Sequence, residues 1–255
     1  MGYSFDRGAE VATGGILILM GSDVFVRGGS VLNRIIESVK RHPNEIGCAT
    51  CLGLSPGNLD MDAKDITRRY GADIKWTVGT DDLPPDSKLR RKKGGYTSII
   101  EGQWRRGKDS DKPYIVSCLM GAFYWCSKEF YQRIHGFDTE KGNEWQGHKR
   151  WACLEPFLSI KAQVYGGAVR VYPDIEVGHV FGRKTEGARS ADFQWWNRYW
   201  VAHTMLEEGF RQELLSFPRH EWNKSVAEQW IRLHQSTVQK VRERNQREGK
   251  LISKP

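Results

Sequence analysis

The sequence has no long hydrophobic run: no window of its 255 residues approaches the roughly 18 consecutive apolar residues of a membrane-spanning helix. The N-terminal stretch MGYSFDRGAEV also lacks the order of basic and then apolar residues that marks a signal peptide. Asp6 stands where a myristoylation signal needs Ser or Thr. These absences favour an intracellular protein, and we expect it in the cytoplasm.

Cysteine is scarce, and its pattern excludes a four-cysteine zinc site. Five cysteines are present, and the C-x-x-C spacing of Cys48 and Cys51 has no second pair to complete four ligands. Both residues lie in the strand-like run IGCATCLGL. We therefore expect buried thiols that pack as small hydrophobic side chains.

The order of strand-like and helix-like segments predicts a mixed α/β protein. Apolar runs typical of strands alternate with helical patterns as far as residue 182, and a helical, tryptophan-rich segment follows from residue 190. Internal repeats and low-complexity tracts are absent. The sequence predicts an α/β domain over residues 1–185 and a helical C-terminal extension over residues 186–255.

Individual elements follow from local patterns. The predicted strands are ILILM, EIGCATCLGL, ADIKWTVG, YIVSCLMGAFYWCS and two pieces of AVRVYPDIEVGHVF on either side of Pro173. The predicted helices are SVLNRIIESVKR with Ser30 as its N-cap, KEFYQRI, and EPFLSIKAQVYGG, which ends at a glycine pair. Residues 80–112 are polar and basic with little periodicity, so we expect a long surface loop there.

The first apolar run, ILILM, has the length of a buried strand and stops at Gly21, Ser22 and Asp23. All three are ordinary turn residues, so a simple turn is one interpretation. Alternatively, the strand end holds the Asp23 carboxylate at the crevice where open α/β sheets bind ligands. The triplet alone leaves both interpretations open.

Positive charge is in excess and is clustered. The chain has 39 Lys and Arg against 31 Asp and Glu, which gives a net charge of +8. Basic runs with aromatic neighbours indicate a polyanionic partner such as nucleic acid, although a solvated basic surface would show the same composition. The candidate nucleic-acid-binding residues are Arg90, Arg91, Lys92, Lys93, Arg105 and Arg106.

Four segments, in order, resemble motifs of nucleotide-sugar glycosyltransferases of the GT-A fold, particularly the polypeptide N-acetylgalactosaminyltransferases and their bacterial and bacteriophage relatives. DRGAEVATGGILILMGSDVF resembles the segment that leads into a metal-binding D-x-D or D-x-H motif, and CLMGAFYWCSKEFYQRIHGFD resembles a strand, helix and G-x-[YF]-D turn. WACLEPFLSIKAQVYGG is similar to a W-G-G-E-N stretch, and VYPDIEVGHVFGR to I-P-C-S-R-V-G-H-x-F-R. The resemblance implies a GT-A (Rossmann-like) mixed sheet flanked by helices.

The resemblance also implies a donor site for a UDP-sugar and a divalent cation, Mn²⁺ or Mg²⁺. Asp23 and His179 would be its protein ligands, since hard ions take carboxylate oxygen and tolerate imidazole. A divalent cation stabilises the charge that develops on a diphosphate leaving group. The residues implied to contact the donor are Gly21, Ser22, Gly121, Ala122 and Trp151.

Glu155 stands where inverting relatives have their catalytic carboxylate. There it could accept the proton of an attacking hydroxyl, as a general base does. Retaining N-acetylgalactosaminyl relatives have Asn at this position, so glutamate favours inversion. Alternatively, Glu155 is only a first-turn acid favoured by the helix dipole, ahead of Pro156.

The sequence departs from the family pattern at three places. Gly21 replaces the first acid of D-x-D, and Ala152, Cys153 and Leu154 replace G-G-E, so recognition of the donor sugar does not carry over. The resemblance further implies nucleotide-gripping strands ahead of the metal motif, and they have no counterpart in this sequence. Either the N-terminal portion is missing, or a second chain supplies it, or the chain alone is not an active transferase.

The sequence therefore predicts a metal-dependent glycosyltransferase that acts on a hydroxyl acceptor, a hydroxymethylated base in DNA above all. Such a base must leave the stack, and aromatic side chains stabilise unstacked bases. For a bacteriophage protein, the location would be the host cytoplasm. The alternatives are a transferase acting on polysaccharide or protein hydroxyls, and a non-catalytic nucleic-acid-binding subunit.

Overall fold

The computed structural model describes residues 2–83, 97–121, 123–143, 146–147, 153–181, 191–217 and 221–255. Its strands are β1 (Ile16–Met20), β2 (Val24–Val26), β3 (Glu45–Leu54), β4 (Thr67–Arg69), β5 (Ala72–Gly79), β6 (Thr97–Trp104), β7 (Tyr114–Val116), β8 (Phe123–Ser127) and β9 (Ala168–Val180). Its helices are α1 (Gly2–Val11), α2 (Val31–Arg41), α3 (Lys128–Arg133), α4 (Leu154–Val164), α5 (Ala191–Met205), α6 (Glu208–Ser216), α7 (Glu221–Leu233) and α8 (Gln235–Arg247), with a 3₁₀ turn at Thr80–Asp82. No described helix is long and apolar enough to cross a membrane.

A mixed sheet forms the centre of the protein. In the described part of the chain its strands run in the order β1-β8-β3-β9-β2, with β4 added to β3 and β7 added to β9. β3 and β9 are parallel, while β8 is antiparallel to both β1 and β3. β1, β3 and β9 consequently end at the same edge of the sheet, where α/β proteins bind ligands. β5 and β6 form a separate two-stranded sheet.

The sheet is covered on both faces. On one face α2 packs over β3 and β8, and Ile35, Trp125 and Val177 form a buried cluster there. On the other face lies the larger cluster, which joins Phe157 of α4 to Trp196 of α5. The tryptophan-rich helices after residue 190 therefore share this core. The division into domains at residues 185 and 186 stays a prediction.

Several local predictions are confirmed. β3, β5 and α2 span the runs EIGCATCLGL, ADIKWTVG and VLNRIIESVKR. All five cysteines are free and buried, as expected for thiols that act as hydrophobic side chains. Burial raises the pKa of Cys48 to about 12, which keeps that thiol protonated and unreactive.

Other local predictions are wrong, each for a physical reason. Residues 97–104, which the sequence analysis placed in a surface loop, form strand β6. The strand is stabilised by antiparallel pairing with β5, and the polar residues that flank it hide this pairing from a reading of local sequence. The two strand pieces around Pro173 are one strand, β9, in which a register shift beside β3 accommodates the proline's missing N–H. Ser30 does occupy the N-cap position of α2, but its side chain makes no capping hydrogen bond.

The expectation that β1 is buried is also wrong. Its burial alternates along the strand, and Ile18 and Met20 are 39% and 47% exposed. The reason is position: within the described residues β1 pairs only with β8 and is an edge strand. A run of apolar residues does not distinguish a central strand from an edge strand when the neighbours are unknown.

Candidate functional site

The structure brings Asp23 and His179 together through the pairing of two strands. β1 ends at Met20, the chain turns over residues 21–23, and β2 starts at Val24. β2 pairs antiparallel with β9 so that Val24 lies opposite His179, and the Val180 N–H donates to the Asp23 carbonyl at 3.1 Å. As a result Asp23 Oδ1 lies 3.6 Å from His179 Nε2.

This pair has the chemistry of two metal ligands. At 3.6 Å the atoms are too far apart for a good hydrogen bond, but near enough for both to contact one ion at the roughly 2.0–2.2 Å typical of such ligands. His179 Nδ1 is buried without a hydrogen-bond partner. Burial, reinforced by the charge of Arg69 and opposed by Asp23, lowers the His179 pKa and favours the neutral imidazole that binds metals.

The protein offers few metal ligands at this place. The described residues contain no group of three or more His, Cys, Asp or Glu side chains that could hold a metal. An ion at Asp23 and His179 would need its remaining ligands from water or from substrate oxygens. Mg²⁺ is commonly held in that way, through one or two carboxylates together with phosphates and water. The two residues fit such an ion and do not fit a closed structural metal site.

Arg69 is a neighbour of this pair that sequence reasoning missed. It ends β4, where it lies opposite Cys51 of β3. Its guanidinium carbon is 4.4 Å from the ring centroids of both Trp104 and Phe181. The Phe181 ring in turn lies 4.2 Å from the His179 ring. The sequence gives little indication of this residue, because Arg68-Arg69 resembles an ordinary surface pair.

Gly121 lies against the same part of β3. Its φ of +81° suits glycine, and an added Cβ would lie only 2.6 Å from Cys51 Cβ and 2.8 Å from Cys51 Sγ. Packing against Cys51 therefore accounts for this glycine by itself. Of the other predicted donor contacts, Gly21 is buried and Ser22 is exposed in the turn before Asp23. Ala122 and Trp151 lie outside the described residues.

Glu155 lies in the first turn of α4 and is held by β8. The Tyr124 hydroxyl donates to Glu155 Oε1 at 2.9 Å, and Tyr124 pairs with Leu19 near the edge where β1 ends. Burial raises the pKa of the Glu155 carboxyl, and the hydrogen bond from Tyr124 partly opposes this rise. The charges of Glu155 and Arg69 both act on the Cys51 thiol. Glu155 thus lies in the same region as Arg69.

A left-handed residue sets the start of α4. Cys153, immediately before the helix, has a φ of 54°, which is strained for a residue with a side chain, and its thiol donates to the Ile100 carbonyl at 3.4 Å. The helix begins at Leu154, which places Glu155 in the first turn, where a negative charge is favoured by the helix dipole.

Two of the predicted nucleic-acid-binding residues, Arg105 and Arg106, differ in their ion pairing and exposure. Arg105 forms ion pairs with Asp109 at 2.7 Å and with Asp73 at 3.4 Å. Arg106 is exposed, and its charge acts on Arg69. Arg90, Arg91, Lys92 and Lys93 lie outside the described residues. Among the described basic candidates, Arg106 is therefore the better placed to meet an anionic ligand.

The sheet order and the flanking helices are those of a GT-A, Rossmann-like mixed α/β fold. Among solved structures, the chain is similar to GalNAc-T7 in a crystal structure with UDP, GalNAc and Mn²⁺, with a TM-score of 0.52 and 18% identity over 88% of this chain. The chain spans 39% of the length of that protein. No family model and no curated protein matches the sequence. The likeness confirms the predicted fold class.

Proposed function

We propose that the chain is a metal-dependent glycosyltransferase, or the part of one, that moves a sugar from a nucleoside diphosphate sugar to a hydroxyl acceptor. The observation that carries the proposal is the approach of Asp23 Oδ1 to His179 Nε2 at the edge where β1, β3 and β9 end. A similar fold in a structure with UDP, GalNAc and Mn²⁺ supports it. A UDP-sugar donor and an Mn²⁺ or Mg²⁺ cofactor belong to this proposal.

Each residue has a part in that reaction. Asp23 and His179 would hold the ion, which, when bound, stabilises negative charge on the diphosphate. Gly21 and the exposed Ser22 are small residues that would let the diphosphate approach the turn closely. Glu155 would accept the proton of the acceptor hydroxyl as that oxygen attacks the anomeric carbon, which inverts its configuration. Gly121, Ala122 and Trp151 are proposed contacts of the donor sugar.

The proposed acceptor is DNA carrying a hydroxymethylated base, as for bacteriophage glycosyltransferases. The net charge of +8 and exposed Arg106 beside Arg69 support a polyanionic acceptor. A polysaccharide or protein hydroxyl is the alternative acceptor. A chain that binds nucleic acid without catalysis is the alternative from another class, and calorimetry with a UDP-sugar and Mn²⁺ separates it from a transferase.

A second chain could contribute the strands that grip the nucleotide base. Support comes from β1, whose outer edge has no strand partner within the described residues and whose Ile18 and Met20 are partly exposed. If donor binding needs that chain, UDP will bind only weakly to this chain alone and tightly to the assembly. A full-strength UDP site on this chain alone would contradict the need for a second chain.

Replacement of Asp23 or His179 by alanine is expected to abolish Mn²⁺-dependent UDP binding without unfolding the protein. Each change removes one of two protein ligands, and both side chains are partly exposed, so little packing is lost. Calorimetric titration with UDP, with Mn²⁺ and with EDTA, measures the effect. His42→Ala is a matched control, because His42 Nδ1 also lies 3.6 Å from a carboxylate oxygen, on Glu45. Unchanged Mn²⁺-dependent binding in either site variant removes that residue from the site.

Substitution of the basic residues is expected to weaken DNA binding and to flatten its dependence on salt. Each basic side chain that no longer neutralises a phosphate reduces the steepness of log K against log salt by about 0.9. Replacing Arg90, Arg91, Lys92 and Lys93 by Ser should reduce both the affinity and the slope, measured by fluorescence anisotropy on duplex DNA.

Arg105 and Arg106 provide an internal comparison for that experiment. Arg106→Ser should lower the slope by about 0.9, whereas Arg105→Ser should change it little, because Arg105 is already paired with Asp109 and Asp73. Equal affinity and slope in the parent and in all these variants would show that these residues do not hold a polyanion.

A further inference from the structure

Arg69 occupies a corner formed by two aromatic rings. Its guanidinium carbon is 4.4 Å from the centroids of Trp104 and Phe181, and these two rings are 5.4 Å apart at an interplanar angle of 52°. Aromatic faces attract a cation and hold a planar guanidinium in a fixed orientation. The side chain is therefore positioned before any ligand arrives.

The neighbouring strand leaves room for this guanidinium. At Gly53 of β3 an added Cβ would lie 2.7 Å from Arg69 Nη1, closer than non-bonded atoms can approach. Gly53 pairs with Thr67, two residues before Arg69 on β4. Nη1 accordingly lies against the backbone of β3 at Gly53, and a larger residue at position 53 would displace it.

The guanidinium has no anionic partner among the described residues. Nη1 is buried and makes no hydrogen bond, and the partner of the guanidinium is the Cys51 thiol, which is neutral because burial raises its pKa to about 12. No carboxylate is among the groups whose charge acts on Arg69. The adjacent Arg68 differs, because its Nε donates to Glu176 Oε1 at 3.4 Å. Buried charges without a partner are unfavourable, and buried donors in proteins nearly always have an acceptor. A positioned guanidinium whose only partner in the described part of the chain is a neutral thiol is suited to an oxyanion ligand.

The position of Arg69 identifies that oxyanion. Phe181 contacts both Arg69 and His179, so the guanidinium lies beside the Asp23–His179 pair. We propose that Arg69 binds the diphosphate of the nucleotide donor and shares its negative charge with the ion held by Asp23 and His179. This inference rests on the proposed function for the identity of the donor, while the oxyanion chemistry rests on Arg69 and its surroundings.

The transfer needs no reactant other than the nucleotide sugar and the acceptor hydroxyl. The bond between the anomeric carbon and the diphosphate oxygen breaks, and its electron pair stays on that oxygen. The acceptor oxygen forms the new bond to the anomeric carbon, and its proton passes to Glu155. Arg69 stays protonated throughout and hydrogen-bonds to the leaving diphosphate, whose charge increases as the bond breaks.

Inorganic pyrophosphate is the probe for the test, because it has no base or sugar and needs no nucleotide-gripping strands. We expect Arg69→Gln to weaken pyrophosphate binding by about 10- to 100-fold in EDTA, the range for loss of hydrogen bonds to a charged group. Arg69→Lys, which keeps the charge but not the planar fork, should weaken it less. Arg68→Gln is the control and should bind as the parent does. Isothermal titration calorimetry measures all four proteins, with thermal unfolding to verify that each is folded.

The outcomes separate this inference from the proposed function. If Arg69→Gln binds pyrophosphate as tightly as the parent does, or if the parent does not bind it, Arg69 is not an oxyanion ligand. If Arg69→Gln binds UDP with Mn²⁺ as tightly as the parent does, the donor site stands, but Arg69 does not bind the diphosphate. If the parent binds pyrophosphate through Arg69, but UDP with Mn²⁺ binds neither to this chain nor to its assembly with a second chain, the oxyanion site stands and the transferase proposal fails.

Discussion

Replacement of Glu155 by glutamine is expected to lower kcat by about 10²- to 10⁴-fold, the usual effect of losing a general base. Donor affinity should stay near that of the parent, because Glu155 would act on the acceptor and not on the diphosphate. Glutamine keeps the shape of the side chain and can still accept the hydrogen bond from Tyr124. The substitution therefore removes proton transfer and little else. Steady-state kinetics in the active assembly measures kcat and the donor KM separately.

The same carboxyl predicts a pH dependence. Burial raises its pKa above the ordinary value of 4.5, and a base must be ionised, so the rate should fall as the pH is lowered through that raised pKa. A backbone hydrogen bond and the hydrogen bond from Tyr124 both oppose this rise in pKa, and Tyr124→Phe removes the second, so the acid limb of the rate profile should move to higher pH. Glu155→Gln should lose this limb.

Glu155→Gln is expected to raise the stability of the protein at neutral pH, although it lowers the activity. A carboxyl with a raised pKa in the folded state binds its proton more tightly when folded, so it favours folding at low pH and opposes it once the pH exceeds the raised pKa. Glu155→Gln should therefore raise Tm at neutral pH, and this gain should disappear below the pKa of the unfolded chain. Functional groups often oppose stability in this way.

Glu129→Gln is a matched control for these measurements. Glu129 is likewise an acid in the first turn of a helix, α3, so its loss tests the contribution of the helix dipole alone. It should leave the rate unchanged. If Glu155→Gln turns over as fast as the parent, then Glu155 is no more than a helix-start residue like Glu129, and the inverting mechanism is wrong.

Local patterns were sufficient where the determinants are local. The apolar run of β3 and the helical spacing of α2 depend on neighbouring residues, and both predictions are confirmed. Strand β6 was missed because its stability depends on pairing with β5, and its buried Ile99 and Ile100 are a short signal within polar sequence. The exposure of β1 depends on the strands beside it in the sheet, which the ILILM run does not specify.

The same difference between local and long-range determinants applies to the residues of the candidate site. The motif resemblance pointed to Asp23 and His179, and the structure brings their side chains within 3.6 Å through the β2–β9 register, with His179 inside β9 and not after it. Their role as metal ligands stays a prediction. Arg69 could not be predicted, since its environment combines β4, the end of β6 and the residue after β9, which are far apart in sequence. Lys161 did leave a signal, because it is the one basic residue of a helix, α4, that is otherwise rich in apolar residues.

Lys161 belongs to a buried ionic cluster that connects α4 with the C-terminal helix. Its side chain is fully buried, and Nζ lies 3.0 Å from Asp138 Oδ1 and donates to the Gly136 carbonyl at 2.9 Å. Arg244 of α8 donates to the same Asp138 oxygen at 2.8 Å. Burial raises the Asp138 pKa, but the two cations outweigh it and the net direction is down. Asp138 therefore stabilises the fold above its unfolded pKa, and this stabilisation is lost as the pH falls through its folded pKa.

Asp138→Ala is expected to reduce the free energy of unfolding by about 3–5 kcal/mol, because it leaves the buried Lys161 charge uncompensated. Urea unfolding followed by circular dichroism measures the change. Lys240→Ala is the matched control, since Lys240 joins the same helix to Glu140 through an exposed pair worth about 0–1 kcal/mol.

The double variant Asp138→Asn/Lys161→Met removes both charges and should be more stable than Asp138→Ala. Because α4 carries Glu155 at its start, loosening this cluster should also lower activity. If Asp138→Ala unfolds at the same urea concentration as Lys240→Ala, the cluster does not anchor α8 to the α/β core.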